Sequence, residues 1–139
     1  MRAVLPGMKG RGFGRIINIS SALGLVGQFA CSAYAASKHG IVGLTRCAAL
    51  EAAEHGVTVN AICPGYVRTA LVESEIKAMA AGRGIGEEAA VAVIVAGAHP
   101  TRRFVTPAEI GAMVLFLASE QGASITGAAL PIDGGWTAR

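Results

Sequence analysis

Several residue types are scarce in this sequence, and each scarcity argues against a class of protein. The 139-residue chain has only three cysteines and no C-x-x-C spacing, so a disulfide framework is not expected and no metal site is predicted. Charged residues make up 15% of the chain and aromatic residues 5%, which is unlike a disordered, highly charged protein. The net charge is +3, and no basic stripe with interleaved aromatics is present, so we expect no nucleic-acid binding.

Long apolar segments are missing as well. The longest, AAVAVIVAGA at 89–98, is too short to span a bilayer, and the segment MRAVLPGMKGRGFG at 1–14 contains no apolar signal-peptide core. We therefore expect a protein of the reducing cytoplasm that has no membrane partner. Cys47 lies in a helical pattern and Cys63 ends an apolar run, so both are predicted to be small core residues.

Aliphatic residues and glycine are abundant instead. Hydrophobic residues make up 53% of the chain and 19 glycines punctuate it, a composition typical of a buried parallel sheet covered by helices. The β-branched runs at 14–20 and 57–63 predict two buried strands. Between them, residues 32–55 predict a long helix that closes at Gly56. Apolar residues recur in this helix at a spacing typical of a face packed on a core: Ile41, Leu44, Ala48 and Leu50.

The second half of the chain continues the alternation. Residues 70–99 predict an Ala-rich helix interrupted at 81–86, and residues 106–119 predict a further helix. The latter begins with a capping-box pattern, with Thr106 as N-cap, Pro107 at N1 and Glu109 at N3. A last strand and a glycine turn are predicted within 123–135. This order of strands and helices is typical of right-handed βαβ units in a parallel sheet.

A candidate site follows from this topology before any motif is considered. Ligands of open parallel α/β sheets bind at the carboxyl ends of the strands. In this chain those ends are Ser20-Ser21, Cys63-Pro64-Gly65 and the region near Asp133. We therefore predict that these three segments meet at one edge of the sheet and form the site.

Tyr34 and Lys38 supply chemistry at this edge. They are four residues apart in the predicted helix, so their side chains share a face. A lysine ammonium beside a phenol favours the phenolate, and such a tyrosine can transfer a proton near neutral pH. Such a pair is also common on helices that have no catalytic role. Ser21, just past the preceding strand, favours the catalytic interpretation, because its hydroxyl would hydrogen-bond an oxygen beside the phenol.

Four segments in this order resemble one known family. They are NISS at 18–21, YAASK at 34–38, VNAICPGYVRT at 59–69 and ITGAALPIDGG at 125–135. Together they resemble the short-chain dehydrogenase/reductase family, with that family's order and spacings. The resemblance covers essentially the whole chain and implies a Rossmann-type, doubly wound parallel α/β sheet. It also implies NAD(P)-dependent hydride transfer between the cofactor and a secondary alcohol or ketone.

The resemblance also implies a role for each matching residue. Ser21 would polarise the substrate oxygen, Tyr34 would be the catalytic acid/base, and Lys38 would support Tyr34 and hydrogen-bond the nicotinamide ribose. Four residues match the segment that holds the nicotinamide carboxamide: Pro64, Gly65, Val67 and Thr69. Two alternatives stay open, since Pro64-Gly65 would also serve as a strand-ending turn and Val67 as a core residue.

One family feature is absent from this sequence. The glycine-rich dinucleotide loop T-G-x-x-x-G-x-G is not found, and GRGFG at 10–14 precedes a strand instead of following one, which predicts a surface turn. The residue that selects NAD or NADP and the upstream catalytic Asn are missing too. We therefore expect residues 1–139 to be the C-terminal part of a single Rossmann-type domain. As an alternative to an active enzyme, an inactive fragment with an exposed sheet edge would aggregate or need a partner chain.

Within the family, the segments HPTRRFVTPAEIGAMVLFLAS at 99–119 and ITGAALPIDGGWTAR at 125–139 are similar to bacterial 3-hydroxybutyrate dehydrogenases. That similarity implies 3-hydroxybutyrate/acetoacetate or a close analogue as substrate, NAD as cofactor with NADP not excluded, and a homotetramer. In the homotetramer, the helix that carries Tyr34 and Lys38 would turn its other face to a subunit contact.

Two aromatic residues would form the walls of this small-acid pocket. They are Tyr66 and Trp136, for which surface packing or a subunit contact is the alternative.

Three pocket positions depart from the subfamily pattern. Leu23 and Cys31 stand where that pattern has histidine and lysine, and Glu75 stands where it has glutamine. Each change removes a donor or adds an acceptor where a substrate carboxylate would lie, and a buried carboxylate without donors is costly. A related β-hydroxy acid, or a neutral ketone or alcohol, therefore remains an open alternative.

Overall fold

The computed structural model describes residues 1–138 as strands and helices in alternation. Three strands and five α-helices follow one another, with single 3₁₀ turns between some of them. In chain order they are α1 (Leu5–Gly10), β1 (Gly14–Ile19), α2 (Ser32–Ala52), β2 (Val57–Pro64), α3 (Ala70–Arg83), α4 (Glu87–Ala98), α5 (Pro107–Ala118) and β3 (Ala129–Ile132). No helix within residues 1–138 is long and apolar enough to cross a membrane.

The strands form one parallel sheet in the order β1-β2-β3, as the α/β pattern predicts. β2 is the central strand, and each of its residues is buried. In the register, Ile62 of β2 pairs with Ile19 of β1 on one side and Leu130 of β3 on the other. The prediction of a buried first strand is wrong for most of its length. β1 is an edge strand among the described residues, so it is half-buried and Ile19 is 48% exposed.

The apolar face of α2 packs on the sheet through small residues. Ala48, Ala49 and Ala52 form a buried cluster with Val57 and Val59 of β2. Because alternate residues of a strand point to opposite faces, the even-numbered residues of β2, Ile62 among them, point away from α2. α5 also packs against β1 and β2.

Three residues of α2 that were predicted for the core lie outside it. Leu44 is 54% exposed, Leu50 is 82% exposed, and Cys47 is exposed, whereas Cys63 at the end of β2 is buried as predicted. The face of α2 that meets the sheet carries Val42, Thr45, Ala48, Ala49 and Ala52. With about 100° between successive helical residues, Leu44, Cys47 and Leu50 fall on the opposite side.

The helix boundaries follow the local sequence signals. α5 begins with the predicted capping box, in which the Thr106 hydroxyl accepts from the Glu109 N–H and the Glu109 carboxylate accepts from the Thr106 N–H. The Arg103 guanidinium, followed by the N–H and hydroxyl of Thr106, lowers the pKa of Glu109 to about 2. Gly84 and Gly56 have positive φ and end their helical segments, so the interruption near 81–86 and the closure at Gly56 are confirmed.

Candidate active site

A cavity of about 430 Å³ opens at the carboxyl ends of β1 and β2, where the topology predicts a site. Ser20 and Ser21, Pro64 and Gly65 line it as predicted. From the third predicted segment, among the described residues, only Trp136 reaches it, because Asp133 lines a separate cavity with Thr101 and Arg103. Every predicted site residue also lines this cavity: Ser21, Tyr34, Lys38, Pro64, Gly65, Tyr66, Val67, Thr69 and Trp136. The structure therefore brings the predicted set together, and the role of each member stays a prediction.

Tyr34 and Lys38 lie on the first turns of α2, one turn apart. The Lys38 ammonium lies 5.5 Å from the centroid of the Tyr34 ring and donates a hydrogen bond of 3.3 Å to the carbonyl oxygen of Ile19. The phenol of Tyr34 faces the cavity from a half-exposed position. A positive charge is thereby fixed beside the Tyr34 ring at the cavity.

Ser20 and Gly24 fix α2 against the end of β1. The Ser20 hydroxyl donates to the carbonyl oxygen of Lys38 at 2.9 Å. A Cβ atom on Gly24 would lie 2.5 Å from Ser20 Oγ and 2.9 Å from the Lys38 carbonyl oxygen, so only glycine allows this approach. The loop that carries Ser21 and the helix that carries Tyr34 are thus held as one unit.

Ser21 lies between these two anchors. Its hydroxyl oxygen accepts a hydrogen bond of 3.2 Å from the Leu23 N–H and caps the 3₁₀ turn Ala22–Gly24. That role uses the oxygen as an acceptor and leaves the hydroxyl proton to donate. Ser21 therefore has a hydroxyl proton to donate to an oxygen atom in the cavity that Tyr34 also lines.

The segment after β2 follows the wall of the cavity towards α3. Val67 forms a parallel bridge with Val105 and lines the cavity half-buried, so the alternative of a core residue is not what the structure shows. The Thr69 hydroxyl oxygen caps α3 by accepting from the Val72 N–H at 3.5 Å. As for Ser21, the capping role leaves the Thr69 hydroxyl proton to donate.

Tyr66 and Trp136 form an aromatic wall of the cavity. Their rings are stacked, with centroids 5.6 Å apart and an angle of 5° between planes. Trp136 is held by the turn before it, in which Asp133 accepts from the Gly135 N–H, the Thr137 N–H and the Thr137 hydroxyl. Burial alone would raise the pKa of Asp133, but these hydrogen bonds outweigh it and hold the pKa below its usual value.

The polar residues beside this wall include a carboxylate. Glu75 of α3 and Gln28 and Cys31 of the loop before α2 line the cavity near the Tyr66 hydroxyl. The pKa of Tyr66 is raised mainly by burial and further by the negative charge of Glu75, while a hydrogen bond with Gln28 opposes the shift. Leu23, also predicted at the pocket, lines it with an apolar side chain.

Two polar residues at or beside the cavity, Gln28 and His99, were missed from the sequence. Gln28 is the amide in an otherwise apolar loop, a weak signal for a polar contact with Tyr66. His99 directly follows the apolar helix α4, and its ring is completely buried against Tyr66 and Trp136. A histidine between an apolar helix and Pro100 is the signal that was available, but its partner Tyr66 is distant in sequence.

Comparisons with known proteins give the family of the chain. A protein-family profile described as Enoyl-(Acyl carrier protein) reductase matches residues 1–137. The chain is 51% identical over 139 residues to a D-beta-hydroxybutyrate dehydrogenase of Rhizobium meliloti (strain 1021), covering all of this chain and 54% of that protein. The chain thus spans about half the length of the curated relatives it matches.

Solved structures share the fold over the same span. Levodione reductase superposes with a TM-score of 0.88 at 36% identity, covering 99% of this chain and 52% of that one. A variant of actinorhodin polyketide ketoreductase, solved with NADPH, superposes with a TM-score of 0.86 at 40% identity. That match covers 96% of this chain and 51% of that one.

Proposed function

Because the chain belongs to the short-chain dehydrogenase/reductase family, whose members use NAD(P), we propose that it carries out proton transfer in an oxidoreductase that interconverts a secondary alcohol and a ketone. The observation that carries this proposal is the common cavity of Ser21, Tyr34 and Lys38. These residues come from the end of β1 and the start of α2, and the Ser20–Lys38 hydrogen bond joins the two elements. The reaction belongs to this chain itself or to a longer protein of which the chain is a part.

The residues along the cavity fit a nicotinamide group. The segment Pro64–Thr69 would hold the carboxamide through backbone groups and the Thr69 hydroxyl, and Lys38 would hydrogen-bond the ribose. When bound, the nicotinamide supplies or accepts the hydride. We propose NAD as the cofactor and keep NADP as an alternative, since a structural neighbour of the chain was solved with NADPH.

The side chains of this chain would handle the proton and the substrate oxygen. In ketone reduction, the Tyr34 hydroxyl donates its proton to the carbonyl oxygen as negative charge develops there. Ser21 donates a hydrogen bond to the same oxygen, and the Lys38 ammonium stabilises the phenolate that Tyr34 becomes. In alcohol oxidation the Tyr34 phenolate removes the hydroxyl proton instead.

We propose 3-hydroxybutyrate/acetoacetate or a close analogue as the substrate. Two observations support this choice: the 51% identity to a D-beta-hydroxybutyrate dehydrogenase, and the stacked Tyr66 and Trp136 rings, which suit the wall of a small pocket. We also propose a homotetramer in the cytoplasm. The exposed leucines on the outer face of α2, Leu44 and Leu50, would be covered at a subunit contact.

Titration of the 139-residue protein with NADH tests the proposed reaction. We expect saturable enhancement of nicotinamide fluorescence, followed by NADH oxidation that depends on added acetoacetate. A parallel titration with NADPH separates the two cofactors. Absence of both binding and turnover would favour the alternative, an inactive part of a longer dehydrogenase, and would overturn the proposal for this chain.

A second substrate class is favoured by one observation in the cavity. Glu75 lies near Tyr66 and places a negative charge by the wall, whereas Leu23 and Cys31 offer no cation to a carboxylate. Lys38 is the cationic residue that lines the cavity in the described part of the chain, and the proposed chemistry already uses it. A neutral ketone or alcohol of the same size is therefore the alternative substrate.

Replacing Glu75 with glutamine distinguishes the two classes. Glu75 carries a charge of the same sign as the acetoacetate carboxylate, and glutamine is neutral at a similar size. We therefore expect E75Q to raise kcat/KM for acetoacetate about 3- to 10-fold relative to kcat/KM for methyl acetoacetate, a neutral ester. Glu73→Gln is the matched control, because Glu73 lies on the same helix but pairs with Arg68. An unchanged acid-to-ester preference in E75Q would show that Glu75 does not act on the substrate.

A further inference from the structure

His99 is a buried histidine that joins separate loops beside the active-site cavity. Its ring is inaccessible to solvent. Nε2 accepts a hydrogen bond of 2.8 Å from the backbone N–H of Tyr66, and Nδ1 lies 2.7 Å from the carbonyl oxygen of Arg103. Since Nε2 accepts, Nδ1 carries the proton and donates it to Arg103. Both ring nitrogens are therefore used in one tautomer.

The backbone around His99 leaves no spare room. A Cβ atom on Gly65 would lie 2.4 Å from His99 Nε2, and one on Gly134 would lie 3.1 Å from His99 Cβ. Gly134 has a φ of +62°, in the region that favours glycine. The segments after β2 and after β3 therefore both approach the imidazole as closely as glycine allows.

The loop that supplies the second hydrogen bond has an unusual backbone. Arg102 has a φ of +54°, a conformation that non-glycine residues rarely adopt. This turn carries the chain back so that the Arg103 carbonyl reaches the ring, while the Arg102 N–H donates to the His99 carbonyl at 2.8 Å. The imidazole is thus held between the end of α4 and the loop that follows it.

Tyr66 is held by this arrangement through its backbone and its ring. Its N–H is bound by His99, and its carbonyl accepts from the Val105 N–H at 2.9 Å. The Tyr66 ring lies 6.2 Å from the His99 ring and stacks on Trp136, which in turn lies 6.1 Å from His99. Gly65, the preceding residue, belongs to the segment proposed above to hold the nicotinamide carboxamide.

We propose that His99 is a positioning residue that fixes the Gly65–Tyr66 backbone, and through it both the nicotinamide end of the site and the aromatic wall. This inference rests on the proposed function, because it concerns the same cavity. An apolar side chain would leave the Tyr66 N–H and the Arg103 carbonyl without the partner that the buried imidazole supplies. A glutamine can keep both hydrogen bonds, since its amide has one donor group and one acceptor.

Two variants of the 139-residue protein test this role. In His99→Leu we expect the affinity for NADH to fall about tenfold or more. In hydrogen exchange, the Tyr66 amide should exchange its proton faster while the amides of β2 stay protected. In His99→Gln we expect both properties within about threefold of the wild-type protein, because the two hydrogen bonds are kept. His55→Leu, at an exposed histidine after α2, is the matched control and should change neither.

The outcomes separate positioning from a general effect on folding. Where turnover is measured, a loss of folded protein lowers kcat per total protein at constant KM, whereas positioning raises KM for NADH with a smaller change in kcat. Any of three results would overturn the inference: faster amide exchange throughout H99L, unchanged NADH affinity in H99L, or failure of H99Q to restore protection of the Tyr66 amide. If the wild-type protein binds no NADH, the proposed function fails, and local exchange at Tyr66 alone decides whether His99 fixes the loop.

Discussion

Replacing Tyr34 with phenylalanine is expected to lower kcat for acetoacetate reduction by about 10³-fold or more, because general acid catalysis and the hydroxyl hydrogen bond are lost together. Phenylalanine keeps the ring, which is half-exposed, so the fold should not change. NADH affinity should stay within about threefold, since the variant removes one hydroxyl and leaves Lys38 and the segment Pro64–Thr69 in place. Stopped-flow or steady-state measurement of NADH oxidation checks the rate, and fluorescence titration checks the affinity.

The chain contains its own control for this experiment. Tyr66 is the second of its two tyrosines and lines the same cavity, but its hydroxyl interacts with Gln28 on the wall side. Y66F should therefore change KM more than kcat. Turnover in Y34F at the wild-type rate, or a larger loss of kcat in Y66F than in Y34F, would contradict the proposed acid/base role of Tyr34.

The second large effect is expected at Ile62, the apolar centre of the sheet. Its side chain is completely buried in β2, between two paired strands. Ile62→Ala should lower the free energy of unfolding by about 2–5 kcal/mol, because it loses buried methyl groups and leaves a cavity. Urea unfolding followed by circular dichroism measures the change.

Ile19 is the matched control for Ile62. The two residues are partners in the β1–β2 register, and they differ in burial, since Ile19 is 48% exposed. Ile19→Ala should therefore cost less than about 1 kcal/mol. Equal costs at the two positions would mean that β1 is covered in solution by another chain or by a second copy.

The order of elements was predictable because each helix and strand has strong local signals. The capping box at Thr106 and the glycine at position 56 mark boundaries that depend on residues within one turn. The exposure of Leu44 and Leu50 was not predictable. An Ala-rich helix has apolar residues on more than one side, and only the sheet decides which side is covered.

The candidate site likewise has a part that was predictable from the sequence and a part that was not. The spacing of Tyr34 and Lys38 follows from one helical turn, and the family-like segments placed Ser21 and Pro64–Thr69 on the same cavity. His99 could not be found in this way, because its partner Tyr66 is 33 residues away in sequence. No local pattern encodes a hydrogen bond between a ring nitrogen and a distant backbone amide.

The cavity is held by two anchors that share no residue. Ser20 and Gly24 fix the side that carries Ser21, Tyr34 and Lys38, whereas His99 fixes the side that carries Tyr66. Substitutions on α3, such as those at Glu75, touch neither anchor. Under the proposed function, substitutions on α3 should therefore alter substrate preference while the geometry around Tyr34 and Lys38 stays constant, and a library built on α3 should yield new specificities without loss of the chemical step.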